Sequence, residues 1–201
     1  MLEKLGLVKL VEECGELQQI AAKKMARMDT DEHCSASLDR RRIYRYELWR
    51  SWTPGPRRFV NFVCLNPSIA DENKDDPTVR KCVKFARSWG FDALCITNLF
   101  AYRATDPRSM MKVADPVGFG NDRHIISVAQ GASLVVCAWG RDGAFMGRGS
   151  IVRRMLARFD PHYLRLTREQ PWHPLYLPDN TRPSRWYSED YFNKKEINSN
   201  G

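Results

Sequence analysis

The sequence predicts a three-layer α/β domain over roughly residues 42–187, with a short, mainly parallel central sheet and helices on both faces. Three short apolar runs have the continuous hydrophobic character of strands buried on both faces, at 59–65, 93–98 and 133–138. They alternate with segments of helical periodicity, at 79–89, 121–130 and 149–158. This alternation is typical of a parallel sheet that carries helices on both sides.

Length and composition leave room for one such domain and two smaller segments. The chain has 201 residues, and its hydrophobic content of 43% is enough for one packed core. We expect an amphipathic helix over residues 1–33 and a polar tail over residues 188–201. No apolar run reaches the roughly 18 residues that a membrane span needs, so no membrane partner is expected.

Cysteine usage and the first residues of the chain favour a cytoplasmic protein. Of the six cysteines, no two have CxxC spacing, and Cys64, Cys95 and Cys137 lie within apolar runs. Free cysteine in such runs behaves as a small hydrophobic residue, so neither a zinc site nor a disulfide framework is predicted. Acidic residues stand near the N-terminus where an export signal would be apolar.

The segment before the first buried strand has a strand pattern of its own. Residues 44–52 alternate with period two, which predicts a half-exposed strand. Residues 53–56 read Thr-Pro-Gly-Pro and predict a turn, so we expect a hairpin-like pair with the strand at 59–65. Residues 29–42 show no periodicity and are predicted to be a junction.

Polar side chains follow each buried strand at the point where the strand ends. Because the carboxyl ends of parallel strands lie at one edge of a sheet, these side chains should meet there, where open α/β sheets bind their ligands. The predicted substrate-binding set is Pro67, Ser68, Asp71, Asp76, Asn98, Trp139 and Gly140, with Asn66 and His173 as the candidate catalytic pair.

Each of these residues also has an ordinary structural interpretation. Asn66 and Asn98 can bond loop backbone, and His173 precedes a proline and can be a turn residue. Asp71, Asp75 and Asp76 can cap the next helix, and Trp139 can be a core residue. No GxGxxG, phosphate-binding loop, GxSxG or HExxH motif is present, so no cofactor is predicted.

A family resemblance extends over most of the chain. From Tyr44 to about Trp186 the sequence resembles the domain-of-unknown-function family 1643 of bacterial and phage proteins. The pieces that carry it, in order, are YRYELWRSW, CLNPSIAD, DDPT, ITNLFAYRATDP, VCAWG and HPLYLP. That family name implies no activity.

A second, more distant resemblance suggests chemistry. Asn-Pro after the first strand, Asn after the second, Trp-Gly after the third and His-Pro later are similar in order to the uracil-DNA glycosylase superfamily. The resemblance implies that Asn66 orients water, Asn98 reads the base edge and His173 stabilises the leaving base. The sequence departs from that superfamily in two places. Asn66 replaces a carboxylate, and Leu175-Tyr176 replaces the usual Ser-Pro.

The charge distribution indicates a polyanionic partner. Residues 1–33 hold five basic and seven acidic residues, although the chain as a whole has a formal net charge of +8. Basic clusters interleaved with aromatic rings are typical of nucleic-acid binding, although many arginine clusters are only solvated surfaces. The candidate contacts are Arg57, Arg58, Arg103, Arg182 and Arg185.

The N-terminal segment offers a competing metal-dependent hypothesis. Glu12, Glu13 and Glu16 share one face of a predicted helix, and carboxylates in that arrangement suit Mg²⁺. The segment resembles the first metal-binding helix of MazG-like nucleotide pyrophosphohydrolases. Those enzymes need a further acidic helix, and the sequence shows no second helical ExxD segment. We therefore expect no metal site, and a surface helix or a gene-fusion remnant is the simpler interpretation.

Together these patterns predict a nucleobase-processing protein that acts on nucleic acid or nucleotides, glycosylase-like and metal-independent. One alternative is a nucleotide- or nucleic-acid-binding module without catalysis, of phage or bacterial origin. The other is a Mg²⁺-dependent nucleotide pyrophosphohydrolase.

Overall fold

The computed structural model describes residues 33–55, 58–167 and 170–186. Its strands are β1 (His33–Leu38), β2 (Arg45–Ser51), β3 (Phe59–Cys64), β4 (Ala93–Asn98), β5 (Leu134–Cys137), β6 (His162–Tyr163), β7 (Leu166–Thr167), β8 (Gln170–Pro171) and β9 (Ser184–Arg185). Its α-helices are α1 (Pro77–Ser88), α2 (Pro107–Met110), α3 (Asn121–Gly131) and α4 (Arg148–Leu156). Short 3-10 segments cover Arg141–Gly147, Ala157–Phe159 and Pro174–Tyr176.

Seven strands form one mixed sheet in the order β1-β2-β4-β3-β5-β6-β9. The four inner strands β4, β3, β5 and β6 are mutually parallel, whereas β1, β2 and β9 run antiparallel to their neighbours. β7 and β8 form a separate antiparallel pair. The chain is therefore a mixed α/β fold whose carboxyl strand ends gather at one edge.

Strand β3 lies in the middle of the seven-stranded sheet, and every one of its residues is buried. Its one polar member, Asn61, accepts a hydrogen bond from the Thr97 hydroxyl of β4 at 3.1 Å. This bond satisfies the Asn61 oxygen, whereas its buried amide nitrogen has no partner among the described residues. The continuous apolar run of β3 thus has the composition expected of a strand with parallel partners on both sides.

The strands are covered by helices on both faces. Helix α1 packs with Val79 and Phe85 on the face that presents Phe62 of β3. Helices α3 and α4 pack on the opposite face, where Ile125 and Val152 belong to a second apolar core cluster. Because successive strand residues point to opposite faces, each strand feeds two apolar layers. The mixed sheet and its two helical layers agree with the predicted α/β class.

The expected hairpin between residues 44–52 and 59–65 is wrong. β2 pairs with β1 and with β4, so β4 lies between β2 and β3. Strands two places apart in a sheet are separated by about 10 Å, which the connection after Ser51 spans. β3 instead pairs in parallel with β4 on one side and with β5 on the other.

The expected exposed face of β2 is also wrong, because its polar residues are buried. Arg45, Glu47 and Arg50 are at most 7% exposed. The loop after β3 covers the two arginines, whose guanidinium groups donate to the carbonyls of Ala70 and Asp71 at 2.7 and 2.6 Å. Glu47 and Arg50 are three positions apart in the strand and point to opposite faces. Glu47 accepts from Trp49 Nε1 and contacts His124 of α3, so β2 buries polar side chains on both faces and pairs them with protein groups.

The sheet begins upstream of residue 42. Residues 33–38, within the expected junction, form β1 and pair with β2 along its length. An edge strand of this kind is held by backbone hydrogen bonds and needs few apolar side chains. This explains why His-Cys-Ser-Ala-Ser-Leu carries no strong strand signal.

Several predictions fall outside the described residues. They include the N-terminal helix with Glu12, Glu13 and Glu16, the candidate contact Arg57, and the tail from residue 188. Within residues 33–55, 58–167 and 170–186, no helix is both long enough and apolar enough to cross a membrane. The same residues contain no group of three or more His, Cys, Asp or Glu side chains that could hold a metal ion.

Candidate functional site

A large cleft opens at the carboxyl ends of the parallel strands. It has a volume of about 1390 Å³ and is lined by the segments that follow β3, β4 and β5, by the start of α1, and by residues 170–176. Ligands of open α/β sheets bind at this edge, between strands whose connections cross to opposite faces. β3 and β5 are such a pair, since β3 leads into α1 and β5 leads into α4 on the other face.

A smaller recess lies at the inner end of this cleft. Its volume is about 40 Å³, and Asn66, Asn98 and His173 all line it. Asn66 and His173 also line the large cleft, as do Ser68, Asp76 and Thr78. Asn66 and His173, which are 107 positions apart along the chain, therefore meet around one space. The catalytic and binding roles assigned to them stay predictions.

Asn98 is the last residue of β4, and its side chain has no protein partner. It is 1% exposed, and neither its amide nitrogen nor its oxygen makes a hydrogen bond within the described part of the chain. Its backbone is fixed, because Asn121 Nδ2 donates to the carbonyls of Asn98 and Leu99 at 3.0 Å. Leaving a buried carboxamide unpaired is costly, and among the described residues Asn98 alone has both its amide nitrogen and its amide oxygen buried without a partner.

Asn66 presents an acceptor to the site. Its amide nitrogen donates to the carbonyls of Pro67 at 3.1 Å and Ala104 at 2.7 Å. These two bonds fix the orientation of the carboxamide, and its oxygen accepts no hydrogen bond from a described residue. The ordinary interpretation, that Asn66 bonds loop backbone, thus holds for the nitrogen and leaves the oxygen available to a water molecule or a ligand.

His173 lies between the cleft and the recess, half-buried. Burial lowers the pKa of its imidazole below the ordinary value, and the negative charge of Asp76 opposes that effect only in part. Its Nδ1 accepts from the Leu175 amide at 3.4 Å, so the neutral ring carries its proton on Nε2. His173 is therefore a neutral hydrogen-bond donor near pH 7.

Asp76 joins the site from the first turn of α1. Its Oδ1 caps the helix by accepting from the Val79 amide at 2.9 Å. The carboxylate is 6% exposed and lines both cavities. Its other oxygen, Oδ2, accepts no hydrogen bond from the described residues, so capping uses half of the group.

Arg45 is a residue of the recess that sequence reasoning missed. It is 2% exposed, and its Nη1 donates to Ala70 while its Nε has no hydrogen-bond partner among the described residues. Burial lowers its pKa to about 10, and the nearby Asp76 opposes the shift, so the group is still a cation at neutral pH. In the sequence it stands in an alternating strand, where a charge looks like an exposed residue.

Trp139 and Gly140 form the wall of the cleft beneath His173. The Trp139 indole nitrogen donates to Gln170 Oε1 at 2.8 Å, and its ring is 1% exposed. Gly140 has φ 77° and ψ −174°, a conformation almost restricted to glycine. A Cβ at Gly140 would lie 3.4 Å from that of His173. A Cβ at Gly143 would lie 2.0 Å from the Trp139 ring, so only glycine fits at this position.

The remaining residues of the first loop divide into two groups. Ser68 lines both cavities, whereas Pro67 and Asp71 line neither. Asp71 Oδ1 accepts from the amides of Asn73 and Lys74 at 2.9 and 3.1 Å, which shapes the loop. Its Oδ2 lies 3.5 Å from the guanidinium of Arg42.

A family model provides the comparison that identifies the chain. It carries the description "Protein of unknown function (DUF1643)" and matches residues 45–175, well over half of the sequence. The chain belongs to the DUF1643 family. Comparison with curated proteins and with solved structures found no match.

The DUF1643 region contains the whole recess. It begins at Arg45 and ends at Leu175, so Asn66, Asn98 and His173 all fall inside it. The predicted nucleic-acid contacts Arg182 and Arg185 fall outside the matched region.

The four described arginines among those predicted to contact nucleic acid do not form one cluster. Arg103 holds the first loop, because its guanidinium donates to the carbonyls of Arg42 and Ile69 at 3.1 and 3.4 Å. Arg182 donates to Ser88 at the end of α1 that points away from the cleft. Arg185 forms an ion pair with Asp160 at 2.6 Å. Arg58 stacks 5.1 Å from the Phe91 ring centroid, before β3 and at the other edge of the sheet from the cleft.

Proposed function

We propose that this DUF1643 protein processes nucleobases of nucleic acid or nucleotides, as a glycosylase-like, metal-independent N-glycosidic hydrolase. The observation that carries the proposal is the Asn98 carboxamide, buried and unpaired at the recess. A carboxamide offers one donor and one acceptor group, which is the complement of a base edge with a carbonyl beside an N–H. A ligand that hydrogen-bonds to this group is favoured over one that leaves it unpaired, so the group makes binding selective.

The proposed reaction adds water across the bond between the sugar and the base. The water oxygen bonds to the anomeric carbon as the carbon–nitrogen bond breaks, and that electron pair leaves with the base. The sugar keeps a hydroxyl group, and the base takes the second proton of the water. Asn66 Oδ1 accepts from the attacking water and orients it, but an amide does not remove the proton.

His173 supports the departure of the base. Its neutral imidazole donates through Nε2, and a donor aimed at an acceptor of the base, either a carbonyl oxygen or a ring nitrogen, stabilises negative charge that develops on the leaving base. The order of the motifs Asn-Pro, Asn, Trp-Gly and His-Pro, which is similar to the uracil-DNA glycosylase superfamily, supports the same assignment. Trp139 and Gly140 shape the wall against which the base lies.

The test is a screen of oligonucleotides and nucleotides with modified and unmodified bases for release of free base. Asn66→Ala should lower the release rate about 100-fold, because it removes the oxygen that positions the water. It also removes the donor to the Pro67 and Ala104 carbonyls, so binding should weaken by much less than the rate falls. Asn73→Ala, an exposed change in the same loop away from both cavities, should have the wild-type rate. If Asn66→Ala released base at the wild-type rate, the assigned role of Asn66 would be wrong.

Chelation separates this proposal from the metal-dependent alternative. Base release by the proposed mechanism survives EDTA, whereas a pyrophosphohydrolase built on Glu12, Glu13 and Glu16 would stop. The non-catalytic binding module is favoured by one observation, the amide at Asn66 where hydrolysis would benefit from a base. A module of that kind would bind a base through Asn98 and release none.

A further inference from the structure

The unpaired polar groups around the recess form a pattern of hydrogen-bond donors and acceptors that can distinguish one nucleobase from another. Asn98 contributes an N–H donor and an oxygen acceptor, Arg45 contributes an N–H donor at Nε, and Asp76 contributes an acceptor at Oδ2. Asn98 and Arg45 are 1% and 2% exposed, so both are withheld from bulk solvent. Buried groups of this kind are costly unless a ligand pairs them.

The charge of the Asp76 carboxyl group limits which ligand group can lie against its Oδ2. Asp76 is deeply buried, and one oxygen of its carboxyl group is already used by the helix cap. A ligand carbonyl placed against Oδ2 would be repelled, whereas an exocyclic amino group would donate to it. Arg45 is a buried cation and favours a carbonyl oxygen in the same way.

We propose that the recess binds a 2-amino lactam edge, the edge that guanine presents; the inference rests on the proposed nucleobase function. The carbonyl oxygen accepts from Arg45 and from the Asn98 amide through its two lone pairs, which leaves a ring nitrogen of the base as the acceptor for His173. The adjacent ring N–H donates to the Asn98 oxygen, and the amino group donates to Asp76. All four unpaired groups are then satisfied.

Other bases leave at least one group unpaired. Uracil supplies the carbonyl and the N–H, but it has a second carbonyl where guanine has the amino group that Asp76 accepts from. Hypoxanthine has only a C–H there. Cytosine supplies an amino group and two acceptors but no ring N–H, so the Asn98 oxygen keeps no partner. The recess volume of about 40 Å³ accommodates the edge of a ring, and the ring body lies in the larger cleft.

The experiment measures the affinity of the full chain for GMP, IMP, UMP and XMP, which have the same sugar and phosphate and differ only in the base. GMP should bind about tenfold or more tightly than IMP, because IMP lacks only the amino group that pairs with Asp76. UMP should bind more weakly than GMP as well. This contrast uses the wild-type protein and does not depend on any variant folding.

Asp76→Asn tests the residue directly. Asparagine caps a helix as well as aspartate does, so the fold is kept while the Oδ2 acceptor becomes an N–H donor. The variant should lose the preference for GMP over IMP and gain affinity for XMP, which has a carbonyl in place of the amino group. Asp106→Asn makes the same change at the N-cap of α2, lines neither cavity, and should bind like the wild type.

The outcomes separate this inference from the proposed function. Equal affinity for GMP and IMP, or tighter binding of UMP, would overturn the guanine-type edge and leave base recognition standing. Absence of binding to all four nucleotides would also overturn it, and the base-release screen would then decide the proposed function independently.

Discussion

Asn98 and Asn121 are two buried asparagines on adjacent elements whose amide nitrogens differ in hydrogen bonding, while the side-chain oxygens of both are unpaired among the described residues. The side chain of Asn98 makes no hydrogen bond within the described chain, whereas Asn121 Nδ2 makes two to backbone carbonyls. Asn98→Leu should therefore raise the free energy of unfolding by about 1 kcal/mol, since it removes an unpaired polar group of similar size. Asn121→Leu should lower it by about 1–3 kcal/mol because two carbonyls lose their donor.

Denaturant unfolding of the two variants checks this contrast. Asn98→Leu should also lose nucleotide binding, which would show that the cost of the unpaired group is borne for function. A loss of stability in Asn98→Leu as large as that in Asn121→Leu would mean that Asn98 is a structural residue.

His173 should make the stability of the protein depend on pH. Burial lowers its pKa in the folded protein below 6.5, so the unfolded chain binds the proton at a higher pH than the folded chain does. Between those two pKa values the free energy of unfolding falls as the pH falls, and above the unfolded value it stays constant. His173→Asn, which keeps an acceptor for the Leu175 amide, should weaken this dependence.

The measurement is denaturant unfolding of wild type and His173→Asn at about pH 7.5 and about pH 5. The difference between the two pH values should be smaller in the variant. The variant should also release base more slowly with little loss of binding, because the histidine acts on the leaving group. An unchanged pH dependence would contradict the burial of a neutral imidazole.

At the scale of elements, the turn after β5 positions the histidine. Gly140 has a positive φ of 77°, and its Cα faces His173 closely enough that a methyl group would touch the His173 Cβ. Gly140→Ala should lower the free energy of unfolding by about 1–3 kcal/mol through backbone strain. It should also slow base release about tenfold, because relaxation of that strain moves the turn against which His173 packs.

Gly90→Ala is the matched control for that change. Gly90 follows α1 with φ 79°, and a Cβ there meets no atom within 4 Å. It should cost stability through the same kind of backbone strain but leave base release unchanged. Equal effects of the two substitutions on base release would mean that general destabilisation, rather than the position of His173, reduces activity.

At the scale of the whole molecule, the net charge of +8 predicts salt-dependent binding to nucleic acid. Binding to phosphates displaces counterions, so affinity should fall roughly tenfold or more between about 50 and 200 mM salt if several phosphates are contacted. Fluorescence anisotropy with single- and double-stranded oligonucleotides measures this. Absence of binding at low salt would leave a free nucleotide as the ligand.

The sequence by itself determined the parallel core and the residues at its edge. The apolar runs that became β3, β4 and β5 are continuous because a strand covered on both faces needs apolar residues at every position. The predicted helix at 79–89 is α1, with its start two residues earlier at Pro77. Since parallel strands end at one edge, the polar residues that follow them were predictable as neighbours.

The tertiary structure alone decided strand order and the burial of polar residues. Local sequence patterns do not determine which strands are neighbours in a sheet. The expected hairpin of β2 and β3 is therefore not formed, and β4 lies between the two strands. Nor do they state what covers a polar face, so Arg45 looked exposed until the loop after β3 was seen to lie over it. Both depend on contacts between residues far apart in the chain, and periodicity reports only on neighbours.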